Sequence, residues 1–220
     1  MEELNCETVF TIPIFSGIDI GESVVVSWII MAVLVGLSIV MTRNLKVRNP
    51  GKGQVILETA VVSLHNLVSG MVGEKGQRYV PYLMTVLVYI GVANIIGLFG
   101  FKPPTKDLNV TIALALMSIV LIEFAGIYAK GVKGWVKSFA EPVAIMTPFN
   151  ILEIVIKPLS LCMRLFGNVL GAFVIMELIK QIIPVGLPVP FSLYFDIFDG
   201  LIQAYVFVFL TSLFVKEAVE

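Results

Sequence analysis

Charge is what this sequence has least of. Only 14% of its 220 residues are Asp, Glu, Lys or Arg, while 58% are hydrophobic. A soluble domain of this length neither needs so much apolar sequence nor can keep it from water. The net charge of -1 offers no basic surface for phosphates, so nucleic acid is excluded as a partner. Histidine is nearly missing: His65 stands alone on the polar side of a helical segment, and no metal or cofactor site is expected. The two cysteines, Cys6 and Cys162, lie far apart, match no metal-ligand spacing and suggest no disulfide framework. Basic residues are missing from the N-terminus, where Glu2, Glu3 and Glu7 stand in place of a secretory leader's Lys or Arg. Repeats and low-complexity segments are missing as well, so residues 1–220 read as a single membrane domain. The glycines around Lys75 lack both P-loop spacing and a preceding strand, and carry no phosphate role.

What is present is apolar runs of membrane length. Residues 23–41 approach the ~20 needed to cross ~30 Å of hydrocarbon. Arg43, Lys46, Arg48 and Lys52 follow at once, which puts that end in the cytoplasm and the acidic N-terminus outside. Residues 54–72 differ. Leu57, Ala60, Val61, Leu64, Val68 and Met71 recur at helical spacing, opposite Gln54, Glu58, His65, Asn66 and Ser69. That pattern predicts an amphipathic helix along the interface. Two more spans, 80–99 and 108–129, form a hairpin across a loop broken by Pro103 and Pro104. The basic loop after them, with Lys130, Lys133 and Lys137, lies inside.

From 145 to 183 apolar sequence runs on, punctuated by Pro148 and Pro158 and dotted with Glu153, Lys157, Arg164, Asn168, Glu177 and Lys180. A helix through all of it is nearly twice the hydrocarbon thickness, so it must tilt steeply, break or lie partly in the membrane plane. The last segment, 191–215, is apolar apart from Asp196, Asp199 and Gln203 and ends at Lys216. The expected architecture is all-α and integral to the membrane. It has about five crossings plus the interfacial helix, the last two helices long and strongly tilted, and the C-terminus in the cytoplasm.

Arg164 is the leading candidate for function. Its flanks, Leu159 to Met163 and Leu165-Phe166, are apolar, and an arginine deep in hydrocarbon costs a few kcal/mol or more. Because it does not lose its proton, it acts as a fixed charge and not as a relay. Asn168 follows one turn later on the same face, while Glu153 and Lys157 are spaced for an i,i+4 ion pair and fit either helix anchors or a channel role. Asp196, Asp199 and Gln203, three and four apart, give the last helix a polar face that must meet another helix or water. Asp196 lies near two prolines and also fits a place at the membrane surface.

The run from Lys157 to Asn168, Lys-Pro-Leu-Ser-Leu-Cys-Met-Arg-Leu-Phe-Gly-Asn, closely resembles the signature of subunit a of F-type ATP synthases. Two further blocks agree in order: Pro104 to Ala113, Pro-Thr-Lys-Asp-Leu-Asn-Val-Thr-Ile-Ala, and Leu201 to Phe207, Leu-Ile-Gln-Ala-Tyr-Val-Phe. The resemblance runs from the first span to the C-terminus. It implies a non-catalytic, ion-translocating subunit in the cell membrane, facing a rotating ring of c subunits and joined by the b-subunit peripheral stalk and the catalytic head. Two offset half-channels would bring H+ or Na+ to the ring's carboxylates and away from them. The family's essential arginine falls on Arg164, and Asn168 and Gln203 would be polar groups beside it at the ring interface. Asp107, Asn109 and Thr111 match a block near the outer half-channel. Many members carry an acid or histidine nine positions after the arginine, where this chain has Phe173, and some a histidine where it has Asp196. Glu177, one turn beyond Phe173 on nearly the same face, and Asp196 are expected to share the outer half-channel in their place, although i,i+3 spacing also lets Glu177 pair with Lys180. The runner-up reading is a secondary transporter or an unrelated ion channel, and no paired repeat supports it.

Overall fold

A computed structural model describes residues 8–12, 18–43, 45–47, 51–99, 103–138, 147–182 and 188–219. Glu2, Glu3, Glu7, Cys6 and Arg48, used above, lie outside them. The chain opens with strands β1 (Thr8–Ile12) and β2 (Ile18–Gly21), paired antiparallel with an irregularity between Thr8 and Phe10. The all-α expectation missed this hairpin, whose signal is short: a β-branched Thr-Val-Phe-Thr-Ile run and then Ile-Asp-Ile.

Helices make up the rest: α1 (Glu22–Thr42), α2 (Lys52–Val72), α3 (Val80–Ile95), α4 (Leu108–Ser138), α5 (Thr147–Ile182), α6 (Pro188–Ser192) and α7 (Gly200–Val219). Among the described residues six helical stretches are long and apolar enough to cross a membrane: Glu22–Thr42, Lys52–Val72, Gln77–Leu98, Leu108–Ser138, Thr147–Ile182 and Pro190–Val219. The sequence predicts five crossings and an interfacial helix. The extra candidate is α2, the least apolar of the six, which meets the requirement by length and composition alone. Only the far end of α2, at Val68 and Val72, is buried.

Proline and glycine fix where these helices stop and bend. Pro148 falls in the first turn of α5, where a missing N–H costs nothing, and Pro158 lies inside a helix that continues through it for 36 residues. Gly73 ends α2 with φ 78° and ψ -179°, and Gly131 breaks α4 with φ 72° and ψ 161°. Both conformations are open essentially to glycine alone. Beyond Gly131 the chain doubles back, so that Trp135 Nε1 donates to Glu123 Oε2 at 2.8 Å and the indole lies over Gly126. The expected third span, 108–129, therefore corresponds to the part of α4 before the break.

The core is a seam of helices packed at i,i+3,i+4 spacing. Leu83, Val86 and Ile90 of α3 meet Leu114, Ile119 and Ile122 of α4, Leu161 and Leu165 of α5, and Phe207, Val208 and Val215 of α7. Small or hydroxylated residues are buried among them: Ala115, Ser118, Ala125, Ala204, Thr211 and Ser212. This is membrane logic. Lipid tails are as apolar as leucine, so helices associate by close backbone approach and local hydrogen bonds. Large apolar side chains accordingly face outward, including Trp28, Val33, Ile39 and Val40 on α1 and Val120 and Phe124 on α4.

Candidate ion-path site

The helix that enters the site is unusual from its start. Between α6 and α7, residues Leu193–Asp199 form a π-helix, and the Gly200 N–H donates back to the Phe195 carbonyl, five residues before it. Such wide turns are rare overall but frequent at functional sites. Nothing in the residue pattern of 191–215 announces this one. Its effect is to set the polar face of the last helix, because Asp196 and Asp199 lie in the π-turn while Gln203 lies one turn into α7.

All three line a cavity of about 640 Å³, many times the space one water needs. Its walls come from four parts of the chain. The end of α3 and its 3-10 extension supply Asn94, Gly97 and Leu98, and the turn before α4 supplies Pro103 and Lys106. Asn168, Ala172, Phe173, Met176 and Lys180 face it from α5. Asp196 accepts from Ser192 Oγ at 2.6 Å, and its other oxygen lies close over Gly97. At the floor, Asn168 Nδ2 donates to Gln203 Oε1 at 2.6 Å. Gln203 is only 2% exposed, and its Nε2 meets no acceptor. An amide pair thus ties α5 to α7 beside the cavity.

The sequence-nominated residues divide around this cavity. Asn168, Asp196 and Gln203 line it. Glu177 does not: the structure does not bring Glu177 and Asp196 together there, and no ion pair joins Glu177 to Lys180 among the described residues. Phe173 is on the wall, with Lys106 Nζ 3.1 Å from its ring centroid. Asp107, Asn109 and Thr111 lie beside the cavity and not on it. Buried Asp107 caps α4 by accepting from the Asn109 N–H at 2.9 Å. Thr111, fully buried, donates to the Leu108 carbonyl and stands 3.5 Å from Cys162 Sγ. Glu153 and Lys157 form the expected pair at 3.5 Å, and Lys157 also reaches Glu217 of α7 at 3.2 Å.

Arg164 lies on α5 one turn before Asn168 and is exposed, with no ion pair or hydrogen bond among the described residues. Its surroundings are an uncovered apolar stripe that includes Leu152, Val155, Ile156, Leu159, Met163, Val174 and Leu178. A bare guanidinium on such a face is costly in lipid. Sequence reasoning missed Asn94, Thr105 and Lys106. An amide inside the otherwise apolar α3 was the available signal for the first; nothing marked Lys106 as a wall residue or Thr105 as the buried partner of Asn94.

Membrane-length helices that bring an exposed arginine, an amide pair and two cavity-lining carboxylates together suit an ion-translocating membrane protein. The ATP synthase A chain family model matches residues 24–216, and the chain belongs to that family, the ion-translocating membrane subunit of F-type ATP synthases. It is similar to ATP synthase subunit a of Moorella thermoacetica, 35% identical over 92% of this chain and 93% of that protein. ATP synthase subunit a 1 of Hahella chejuensis is 34% identical over 92% and 86%. ATP synthase subunit a 2 of a Bradyrhizobium species is 33% identical over 92% and 90%.

Proposed function

We propose that this chain is the stationary partner of a rotating c-subunit ring, carrying H+ or Na+ to and from the ring's carboxylates through two offset half-channels. Ion flow turns the ring and drives ATP synthesis in a separate catalytic head; the chain itself is non-catalytic and is held by a b-subunit peripheral stalk. One juxtaposition carries the reading: exposed Arg164 stands a turn from Asn168, which bonds Gln203 in the wall of a cavity that also bears Lys106, Asp196 and Asp199. A carboxylate brought to Arg164 is favoured in its charged form and disfavoured once it binds its ion. The uncovered stripe of α5 suits a neighbouring ring of helices, and the fixed charge on it blocks a direct leak between the two paths.

The cavity serves as the outer half-channel. It opens at the start of the last helix, which lies outside when the N-terminus is outside and the C-terminus cytoplasmic. Arg43, Lys46 and Lys52 beyond α1 support that orientation. The 36 residues of α5 span about 54 Å at 1.5 Å each, so in ~30 Å of hydrocarbon the helix inclines strongly. Asp196 and Asp199 offer charge along the wall. Asp107, Asn109 and Thr111 support the turn that bears Lys106, and Glu177 lies beyond Phe173 outside the cavity. A membrane potential supplies about 2.3 kcal/mol per charge per 100 mV, so several ions must pass per turn.

Replacing Arg164 decides the matter. Arg164→Ala is expected to leave the complex assembled and to abolish ion-driven ATP synthesis. Arg164→Lys is expected to fail or nearly fail, because an ammonium can lose its proton and lacks the planar fork. Wild-type synthesis in the alanine variant would overturn the assignment.

A further inference from the structure

Asn94 is the only carboxamide in α3, it is 4% exposed, and both ends of its side chain are bonded. Its Nδ2 donates to the Gly200 carbonyl at 2.9 Å, and its Oδ1 accepts from Thr105 Oγ1 at 2.7 Å. The amide cannot be turned round, since a backbone carbonyl only accepts and so requires Nδ2 opposite it. The two partners matter for where they sit. Gly200 closes the π-turn that holds Asp196 and Asp199. Thr105, fully buried, directly precedes Lys106, whose ammonium stands over Phe173. A Cβ on residue 200 would come within 2.8 Å of Asn94 Cβ, so only glycine permits the approach.

A π-turn does not hold itself open. Its hydrogen bonds give way readily to the α pattern, and relaxing by one residue would rotate the preceding segment by about 100° relative to α7. Asp196 and Asp199 would then leave the wall while Gln203, beyond the turn, stayed.

We propose that Asn94 is a positioning residue for ion passage: its paired bonds to Gly200 and Thr105 hold the π-turn and so aim Asp196 and Asp199 into the cavity opposite Lys106. This rests on reading the cavity as the outer ion path, and the test separates the two.

The test reads which positions face water. In the intact complex with Cys6→Ser and Cys162→Ala, single variants Asp196→Cys, Ile197→Cys, Phe198→Cys, Asp199→Cys and Gln203→Cys are labelled from outside with a small water-soluble thiol reagent. With Asn94 present, Asp196→Cys, Asp199→Cys and Gln203→Cys are expected to react and the other two to lag. Adding Asn94→Leu is expected to slow labelling at 196 and 199 roughly tenfold, as those thiols leave water. It should speed 197 or 198 and leave 203 unchanged. Thr105→Val, close to isosteric, is expected to give a weaker shift in the same direction and decides the question should the leucine variant fail to assemble. An unaltered pattern in the variant that assembles overturns the role of Asn94 and leaves the ion-path reading standing. If no position reacts even with Asn94 present, the cavity is not an aqueous path and both readings fall.

Discussion

Cutting the amide pair between α5 and α7 at Asn168 should cost more than removing Gln203 and Asn168 together. Gln203 Oε1 has one partner, Asn168 Nδ2 at 2.6 Å, and the side chain is 2% exposed with Nε2 already unmatched. Asn168→Ala therefore strands a second buried polar atom, which costs about 1–3 kcal/mol. Gln203→Met keeps most of the volume and removes both polar atoms. It loses one net hydrogen bond of about 1 kcal/mol but relieves the unmatched Nε2, so it should fall within about 1 kcal/mol of wild type. Adding Asn168→Ala to Gln203→Met should then cost little more, giving a coupling energy of about 1–2 kcal/mol. For a chain of this size that coupling corresponds to a few degrees, at about 2–4 °C per kcal/mol. The assay is the temperature at which subunit a is lost from the purified complex on native gels, for wild type, both single variants and the double. Additive losses, or an Asn168→Ala variant that melts like wild type, would refute the argument.

Asp196→Asn is expected to slow passive ion flux through the detached membrane sector, and Glu177→Gln to leave it unchanged, because only the aspartate lines the cavity. Flux measured in vesicles checks this, and equal effects would place Glu177 on the path after all. Gly131→Ala should destabilise the protein by about 1–3 kcal/mol, since φ 72° with ψ 161° is closed to alanine. Protection of the Trp135 indole N–H from exchange should fall with it, and unaltered protection would show that the fold-back does not depend on glycine. Lys157→Met should cost about 1 kcal/mol or less, because Glu153 and Glu217 are 47% and 59% exposed and their charges are screened. A larger loss in melting temperature would mean that the pairs lie in a drier setting than these exposures imply.

The apolar runs carried most of the architecture, because hydrocarbon imposes a length and a composition that few other constraints imitate. Arg164, Asn168 and Gln203 stood out for the same reason, since polar groups in apolar runs are expensive, and the structure pairs the last two. The β-hairpin was not, since a run of five β-branched and aromatic residues next to a 21-residue apolar helix is a weak signal. The π-turn was not legible either. It is decided by Asn94 and Gly200, 106 positions apart, and helical periodicity records only near neighbours. The pairing of Glu177 with Asp196 failed to appear because face and spacing were judged on α5 alone. The structure gives the wall there to Met176 and Lys180, on either side of Glu177.

The two ties between α5 and α7 bracket the arginine. Lys157 holds Glu217 on one side of Arg164 and Asn168 holds Gln203 on the other. Along α5 the anchor points are about 16 Å apart and along α7 about 21 Å, at 1.5 Å per residue. Mechanically, the stretch that bears Arg164 is a short span held at two points in the middle of α5, with its load applied between them. A sideways push on the guanidinium is shared with α7 at those points and directly with the α3–α4 core through Leu161 and Leu165, so little of it is lost in bending α5. That stiffness bears on efficiency more than on speed. An ion crossing 100 mV delivers only about 2.3 kcal/mol, and in the proposed function whatever part of it bends a helix is lost to rotation. A variant that cuts one support should run nearly normally when unloaded and lose ATP yield per ion as the opposing load rises.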